Sequence, residues 1–167
     1  MREQVQMAER AGEQLQRIAA GPERDKFMPL LLLADDSEAQ VHSYYQQGDL
    51  FVLCGGDGIV MGLTLAIPHP GGEVELKSVA VAPALHGRGI GQRMMTLVLA
   101  QLRAAGVRRV TVGTSNSGIG QLAFYQKAGF RLYRIERDFF SIERGYPEGA
   151  RENGIPLRDM IWMDVDL

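Results

Sequence analysis

The sequence predicts an α+β domain built on a mixed central sheet of about six strands flanked by helices. Three observations support this class. The first 48 residues have a mainly helical pattern, short apolar runs separated by turn residues begin at Asp49, and a helical segment interrupts those runs after Pro83. With 167 residues, of which 46% are apolar and 23% charged, the chain has the size and composition of one globular domain, 1–167, which excludes disordered, collagen-like and coiled-coil proteins.

Residues 1–48 are predicted to be mainly helical. Apolar side chains fall on one stripe of residues 1–20, and Gly21-Pro22 follows, which together predict a weakly amphipathic first helix. The segments PLLLLADD and SEAQVHSYYQQG predict two further short helices, the second with Ser37 as its N-cap and Gly48 after its end.

Residues 49–167 are predicted to supply the strands. DLFVLC and IVMGLTLAI flank a glycine-rich turn at 55–58 and predict a β-hairpin, and VELKSVAVAP predicts the next strand. The spacing of Met94, Met95 and Val98 indicates a helix, which ends at Gly106. The remaining elements are predicted, in order, as a strand at RRVTVGT, a short helix at SGIGQLAFYQKAGF, and strands at RLYRIERDFF and DMIWMDVDL.

Charge and cysteine content exclude several classes of partner and site. The net charge is -2, so no global field gathers nucleic acid or an anionic membrane. The single cysteine, Cys54, excludes an intrachain disulfide and a cysteine metal cluster, and its apolar neighbours predict a buried strand thiol. The histidines, His42, His69 and His86, fall on different elements, so we expect no metal site. No secretory signal or membrane-spanning run is recognisable, which predicts a cytoplasmic protein.

Glycine is the outlier in composition, and three glycines indicate a binding site. The chain has 20 glycines, about 12% of its residues against a usual share of roughly 7%. Gly87, Gly89 and Gly91 lie in HGRGIG, between a strand and the start of a helix. Backbone amides in such a loop and in the first helical turn form a phosphate-binding site, to which Arg88 would add a charged contact. The loop matches neither the GxGxxG fingerprint nor a Walker loop, and a turn needed only for tight packing is the alternative.

The strand VAVAP, the loop HGRGIG and the segment YQKAGF together resemble the GCN5-related N-acetyltransferases (GNAT), whose motif is LxxVxVxP followed by Q/R-x-x-G-x-G/A. The resemblance covers residues 75–130 and extends over 49–167, and the chain looks like a bacterial subgroup of uncharacterised acetyltransferases. It departs from the motif at His86, where Gln or Arg is usual, and at Asn116, which lies two residues further from Tyr125 than in the commonest form. The residues that fall on the positions of the motif are Leu76, Val79, Val81, Pro83, His86, Gly89, Gly91, Asn116, Tyr125, Gly129 and Phe130.

The resemblance implies a GNAT-like fold with a mostly antiparallel sheet and an acyltransferase that uses acetyl-CoA as co-substrate. It implies direct transfer of the acetyl group to a primary amine, which we expect to be that of a small molecule. The backbone N–H of Val79, at a bulge of the central strand, would stabilise the oxyanion, and Val81 would pair with the pantetheine arm. The expected cofactor-binding residues are Val79, Ala80, Val81, His86, Gly87, Arg88, Gly89, Ile90, Gly91, Asn116 and Tyr125.

Two residues are predicted to be catalytic. Tyr125 has the family's position for the acid that protonates the leaving thiolate, and a phenol with a pKa of about 10 carries its proton at neutral pH. Glu75 is our first choice for the base that takes the proton of the amine, because strand alternation places it opposite the apolar Val74 and Leu76. Glu73, Asp138, Glu143 and a water molecule are the alternatives.

The acceptor and the assembly are left open by the sequence. A loop with Phe139, Phe140 and Tyr146 among charged residues is expected to line the acceptor site, and it suits a small cationic amine. A protein or peptide N-acetyltransferase is the alternative within the class. A non-catalytic acyl-CoA sensor is the alternative outside it. The resemblance also implies a possible homodimer.

Overall fold

The computed structural model describes residues 12–167, which form a seven-stranded sheet, a separate two-stranded hairpin and four α-helices. The strands are β1 (Gln14–Ile18), β2 (Asp49–Cys54), β3 (Val60–His69), β4 (Glu73–Val81), β5 (Arg109–Ser115), β6 (Arg131–Glu136), β7 (Arg151–Glu152), β8 (Ile155–Pro156) and β9 (Met160–Asp166). The helices are α1 (Met28–Ala34), α2 (Glu38–Tyr44), α3 (Ile90–Ala104) and α4 (Ile119–Lys127), with short 3-10 turns at Pro22–Phe27, Pro83–Leu85 and Ile142–Arg144.

The large sheet has the order β1-β2-β3-β4-β5-β9-β6, and all its neighbours are antiparallel except β4 and β5. Parallel neighbours need a long crossover, which α3 supplies between these two strands. The predicted α+β class with a mostly antiparallel sheet is confirmed. The sheet has one more strand than expected, and β7 and β8 form an additional hairpin that the sequence did not indicate.

The additional strand of the sheet is β1, and the helix predicted over 1–20 is wrong for residues 12–20, none of which is helical. Leu15 packs against the core on one face of the sheet and Ile18 belongs to the core on the other face. Two apolar residues three positions apart therefore fit this edge strand, which contacts both cores, as well as they fit a helical stripe. The rest of the predicted helix, over residues 1–11, lies outside the described residues.

Helices cover both faces of the sheet. The core on one face lies beneath α3 and α4 and includes Met94, Met95 and Val98 together with Leu76 of β4. The core on the other face lies beneath α1 and α2 and includes Leu31. Cys54 is buried in this second core, as predicted for a strand thiol. No helix among residues 12–167 is long and apolar enough to cross a membrane.

The start of α2 and the turn after it are fixed by two residues that the sequence identified. Ser37 is the N-cap of α2, as predicted, and its Oγ accepts the N–H of Gln40 at 3.3 Å. Gly48 has φ +55, and a Cβ there would lie 2.1 Å from the carbonyl oxygen of Ala66. Only glycine fits this close approach of two backbones.

Arg24 is a fully buried cation that the sequence analysis did not single out. Its guanidinium donates to five backbone carbonyls at 2.6 to 3.2 Å, and burial lowers its pKa. The acceptors lie at the end of β1 and in the turn between α2 and β2, so Arg24 joins two segments that are otherwise distant in sequence. These acceptors are the carbonyls of Ile18, Ala19, Tyr45, Gln47 and Gly48.

Candidate active site

The central strands β4 and β5 separate after a short parallel pairing. They pair from Glu73 with Arg109 to Leu76 with Val112, and the pairing of the two strands ends there. On its other side β4 has a bulge, because Leu65 and Ala66 of β3 lie opposite Ser78 and Leu76, which leaves Lys77 as the extra residue. After Leu76, therefore, one edge of β4 is no longer paired with β5.

The bulge also changes which side chains of β4 face each core. Val74 and Leu76 belong to the core under α3 and α4 before the bulge, whereas Val79 packs against that core after it. Ser78 instead reaches the Tyr44 hydroxyl on the opposite face, at 3.4 Å. Strand alternation alone would have put Ser78 with Val74 and Leu76. The bulge thus turns Val79 towards the space between the separating strands.

An open cavity of about 510 Å³ lies at the end of β4 that follows the bulge. Its wall joins the end of β4, the loop before α3 and the first turns of α3 and α4. Nine of the eleven residues predicted to bind the cofactor line it, and Arg88 and Asn116 are the two that do not. The lining residues are Val79, Ala80, Val81, Leu85, His86, Gly87, Gly89, Ile90, Gly91, Gln92, Gly120, Gln121, Phe124 and Tyr125.

The three glycines of the loop have distinct geometric roles. Gly87 and Gly89 have φ of +76 and +73, a conformation that side chains disfavour, and Gly89 is the N-cap of α3. Gly91 lies in the first turn of α3, where a Cβ would lie 2.9 Å from Cε2 of Phe124 in α4. The first-turn amides of α3 have no intrahelical acceptors, so they are available to an anion at this end of the cavity.

The loop is held from behind by a partly buried ion pair between Arg93 and Glu13. Nη1 of Arg93 donates to the carbonyl of Arg88 at 3.1 Å, and its Nη2 and Nε donate to Glu13 at 2.8 and 3.2 Å. His86, at the position where the motif has Gln or Arg, donates from Nε2 to the carbonyl of Val81 at 2.8 Å. Its imidazole therefore closes the turn between β4 and the glycine loop. Arg88 itself is exposed.

Tyr125 lies on α4 at the wall of the cavity. Its side chain is 6% exposed, and its ring meets Phe124 and Phe130 edge to face at centroid distances of 5.0 and 5.7 Å. Burial raises the pKa of the phenol above its ordinary value of 10.0. The hydroxyl therefore keeps its proton throughout the neutral range, which is the state a general acid needs.

Glu75 is almost buried, with 9% of its surface exposed, and it does not line the cavity. It lies on the face of β4 opposite Val74 and Leu76, as alternation predicts. Nε2 of His69 donates to Glu75 Oε2 at 2.9 Å, and Lys77 Nζ lies 3.7 Å from Oε1. His69 is about half exposed, so the pair joins a buried carboxylate to solvent.

The other three candidate bases lie in different settings. Glu73 forms an ion pair with Arg109, which also donates to Asp164. Asp138 has a left-handed backbone with φ 58 and lies on the exposed turn after β6. Glu143 is exposed, and hydrogen bonds from its own backbone and from Ser141 lower its pKa.

Asn116 uses its side chain to hold the segment before β9. Its Oδ1 accepts the N–H groups of Arg158 and Asp159, both at 2.9 Å, and its Nδ2 donates to the carbonyl of Pro156 at 3.0 Å. Asn116 directly follows β5, and it does not line the cavity. These contacts fit a role in fixing the segment 156–159.

A buried polar network, which the sequence analysis missed, lies on the face of the sheet opposite α3. Asp35 accepts hydrogen bonds from the hydroxyls of Tyr44 and Tyr146, both at 3.0 Å, and from the N–H of Ser37. Burial and the charge of Asp35 raise the pKa of both tyrosines. Ser78, the residue before Val79, donates to the Tyr44 hydroxyl. No local pattern indicates a contact such as Asp35 to Tyr146, because it joins residues 111 positions apart.

This network fixes the loop that follows β6. Ser37 donates from Oγ to the carbonyl of Arg144 at 3.0 Å, and a Cβ on Gly145 would lie 2.6 Å from that Oγ. Phe140 meets Phe139 and Tyr146 at centroid distances of 5.1 and 4.9 Å. The loop expected to line the acceptor site is therefore packed against the start of α2. Among residues 12–167, no group of three or more His, Cys, Asp or Glu side chains is placed to hold a metal ion.

Comparisons with known proteins agree with this geometry. The model of a family described as the acetyltransferase (GNAT) family matches residues 14–130. The uncharacterized N-acetyltransferase YvbK of Bacillus subtilis is 37% identical over 152 residues, which cover 90% of this chain and 96% of that protein. An acetyltransferase structure from Bacillus subtilis in complex with CoA has a TM-score of 0.80 at 34% identity, covering 92% of this chain and 99% of that one. A GNAT-family acetyltransferase from Elizabethkingia anophelis with acetyl-CoA bound has a TM-score of 0.81 at 32% identity, covering 95% and 100%.

Proposed function

This chain belongs to the acetyltransferase (GNAT) family, and on that premise we propose that it transfers the acetyl group of acetyl-CoA directly to the primary amine of a small molecule. The observation that carries the proposal is the cavity between β4 and α4, which is lined by nine of the residues predicted to bind the cofactor, Tyr125 among them. The relatives with CoA and acetyl-CoA bound support the same co-substrate here.

The cavity fits a phosphate-bearing ligand with an extended arm. The loop at 87–91 and the first turn of α3 offer backbone amides and the positive end of a helix dipole to the pyrophosphate. The edge of β4 that β5 leaves after Leu76 runs past Val79 and Val81, where the pantetheine amides would pair as an added strand. Larger side chains at 87, 89 or 91 would strain the loop or meet Phe124.

Acetyl-CoA supplies the acetyl group as a thioester, so that a C–N bond to the amine forms as the C–S bond breaks. We assign three tasks to residues of this chain. The N–H of Val79, next to the bulge, stabilises the negative charge that develops on the carbonyl oxygen. Tyr125 gives its proton to the departing sulfur, and its raised pKa keeps that proton available. Glu75 receives the proton that the amine loses, through water, and passes it to solvent by way of His69.

The packing of the loop that is expected to line the acceptor site supports a small amine as the acceptor. The loop 139–146 is held against α2 by Ser37 and Asp35, which leaves less room for a folded protein surface than an open groove would. Its aromatic rings and the exposed carboxylates of Glu143 and Glu148 suit a cationic group.

The test is release of free CoA, measured with a thiol reagent, when acetyl-CoA is mixed with small amines, aminoglycosides or peptides. We expect amine-dependent release that saturates with one or more small amines and proceeds much more slowly with peptides. A preference for peptides would overturn the assignment of a small-molecule acceptor, but the protein would still be an N-acetyltransferase. Tight binding of acetyl-CoA without release over any acceptor would favour a sensor instead.

A further inference from the structure

The side chains of Arg93 and Glu13 join the first turn of α3 to the residue before β1. Nη2 and Nε of Arg93 donate to the two carboxylate oxygens of Glu13 at 2.8 and 3.2 Å. The side chains of Arg93 and Glu13 are 16% and 9% exposed, so water competes little for these bonds. A guanidinium that meets a carboxylate through two nitrogens is fixed in both position and orientation.

Glu13 is anchored to the sheet by its neighbours in the chain. The next residue, Gln14, lies opposite Cys54 in the pairing of β1 with β2. The preceding residue, Gly12, has φ +88, and a Cβ there would lie 2.9 Å from Cα of Gly56 in the turn after β2. The carboxylate therefore holds Arg93 from a fixed point of the sheet.

Arg93 in turn fixes both peptides of Gly89. Its Nη1 donates to the carbonyl of Arg88 at 3.1 Å, and its backbone N–H donates to the carbonyl of Gly89 at 3.2 Å. In a planar trans peptide the C=O and the following N–H point in opposite directions. The N–H of Gly89 therefore points away from the guanidinium. Gly89 lines the cavity and Arg93 does not, so this N–H is directed to the cavity side of the loop.

The loop needs such support because glycine does not hold one conformation by itself. Gly87 and Gly89 have φ of +76 and +73, which glycine adopts without strain but exchanges readily for other conformations. The contacts from Glu13 through Arg93 to the Arg88 carbonyl select one of these conformations before an anion binds. A site that is ordered in advance loses less entropy on binding.

We propose that Arg93, oriented by Glu13, is a positioning residue for acetyl-CoA, because it presents the N–H of Gly89 to the pyrophosphate. All three nitrogens of its guanidinium already donate to protein oxygens, so Arg93 acts through Gly89 and not by touching the phosphate. The inference rests on the proposed function, which places acetyl-CoA in the cavity. It gives β1, the strand that the sequence analysis missed, a part in binding the co-substrate.

Titration calorimetry with CoA is the first test. We expect Arg93→Met to weaken CoA binding about tenfold, because a hydrogen bond to a charged acceptor loses its alignment. Glu13→Gln leaves Arg93 one acceptor oxygen and should weaken binding less. The double variant leaves no unpaired carboxylate and should bind CoA as Arg93→Met does, since both residues act through the same carbonyl. Arg17→Met, which removes an exposed ion pair of β1 with Asp49, is the control and should keep the wild-type Kd.

Amide resonances of isotope-labelled protein distinguish positioning from a general loss of structure. In the wild type, CoA should move the N–H resonance of Gly89 downfield, as a hydrogen bond to phosphate does. In Arg93→Met saturated with CoA, this shift should be largely lost, whereas the resonance of Val81, beside the pantetheine arm, should move as in the wild type. Equal losses at Gly89 and Val81 would overturn the proposal by showing a general structural role.

The affinities also separate failure of this inference from failure of the proposed function. If the wild type binds CoA and both Arg93→Met and the double variant bind it equally well, the positioning role is overturned and the proposed function stands. If the wild type does not bind CoA, both are overturned.

Discussion

Gly91 controls how closely the two helices at the cavity approach each other. A Cβ at this position would lie 2.9 Å from Phe124, closer than real Cβ contacts allow. We expect Gly91→Ala to move α4 and weaken acetyl-CoA binding about tenfold, which corresponds to about 1.4 kcal/mol. Binding is measured by titration calorimetry. The double variant Gly91→Ala with Phe124→Leu should recover most of the affinity, and a single variant with unchanged affinity would contradict the steric account.

Arg24 supports the fold through its backbone acceptors. Arg24→Met leaves five carbonyls, at the end of β1 and in the turn between α2 and β2, without this donor, so we expect the free energy of unfolding to fall by about 3 kcal/mol. Chemical denaturation measures it. Arg17→Met removes an exposed ion pair with Asp49 and should cost less than about 1 kcal/mol. Equal losses for the two variants would show that the buried contacts of Arg24 are not stabilising.

The sequence identifies residues best where their contacts are with residues close by in the chain. The glycine loop is recognisable because positive φ and close helix packing require glycine at fixed spacings, and nine predicted residues lie together in the cavity. Arg24 and Asp35 are different, since each has partners far away in sequence, in the turn after α2 for Arg24 and at Tyr146 for Asp35. A polar residue in a short helical region also looks solvated. Asn116 matches the motif, yet its contacts are with the segment before β9.

At the scale of elements, and among the described residues from 28 onward, local patterns predicted the α-helices and the strands of the large sheet, but neither the small β7–β8 hairpin nor the two 3-10 turns. The failure at β1 has a physical cause, because an edge strand that contacts two cores carries apolar residues at helical spacing. The sequence also could not predict the position of the bulge in β4. A bulge reflects register against β3, and register depends on a neighbouring strand.

Asp35 fixes the loop after β6, because its carboxylate accepts hydrogen bonds from Tyr146 of that loop and from Tyr44 of α2. Asp35→Asn replaces an acceptor oxygen by a donor, so one of the bonds from Tyr44 and Tyr146 is lost. We expect the KM for the acceptor amine to rise several-fold with the KM for acetyl-CoA unchanged, since the loop lies away from the cavity. Steady-state kinetics measure both. Asp36→Asn, at the exposed neighbouring position, is the matched control, and a change confined to acetyl-CoA would contradict this account.

At the scale of the whole molecule, three buried tyrosines make stability depend on alkaline pH. Burial raises the pKa of Tyr44, Tyr125 and Tyr146 above the ordinary value of 10.0, with Asp35 adding to the effect at Tyr44 and Tyr146. The unfolded chain releases these protons near pH 10 and the folded chain keeps them, so unfolding releases protons there. Stability present below pH 10 is therefore lost as pH rises, by about 1.4 kcal/mol per tyrosine for each pH unit.

Thermal melts between pH 8 and pH 11 measure this loss, and tyrosinate absorbance identifies its source. The folded protein should form at least three tyrosinates fewer than the five that the unfolded chain can form. Melting temperatures that stay level to pH 11, or full tyrosinate absorbance before unfolding, would show that the three phenols are not protected.

Tyr125 is proposed to protonate the leaving sulfur inside the acetyl-CoA cavity, and Tyr125→Phe removes the hydroxyl that would do so. We expect kcat to fall by a factor of about 10² to 10⁴ while the Kd for CoA stays within about twofold, because only the hydroxyl is removed from a packed ring. Tyr45→Phe is the control. The Tyr45 hydroxyl donates to Asp25 at the surface, so this variant should retain the wild-type kcat and the wild-type Kd for CoA. A Tyr125→Phe variant with wild-type kcat would contradict the account.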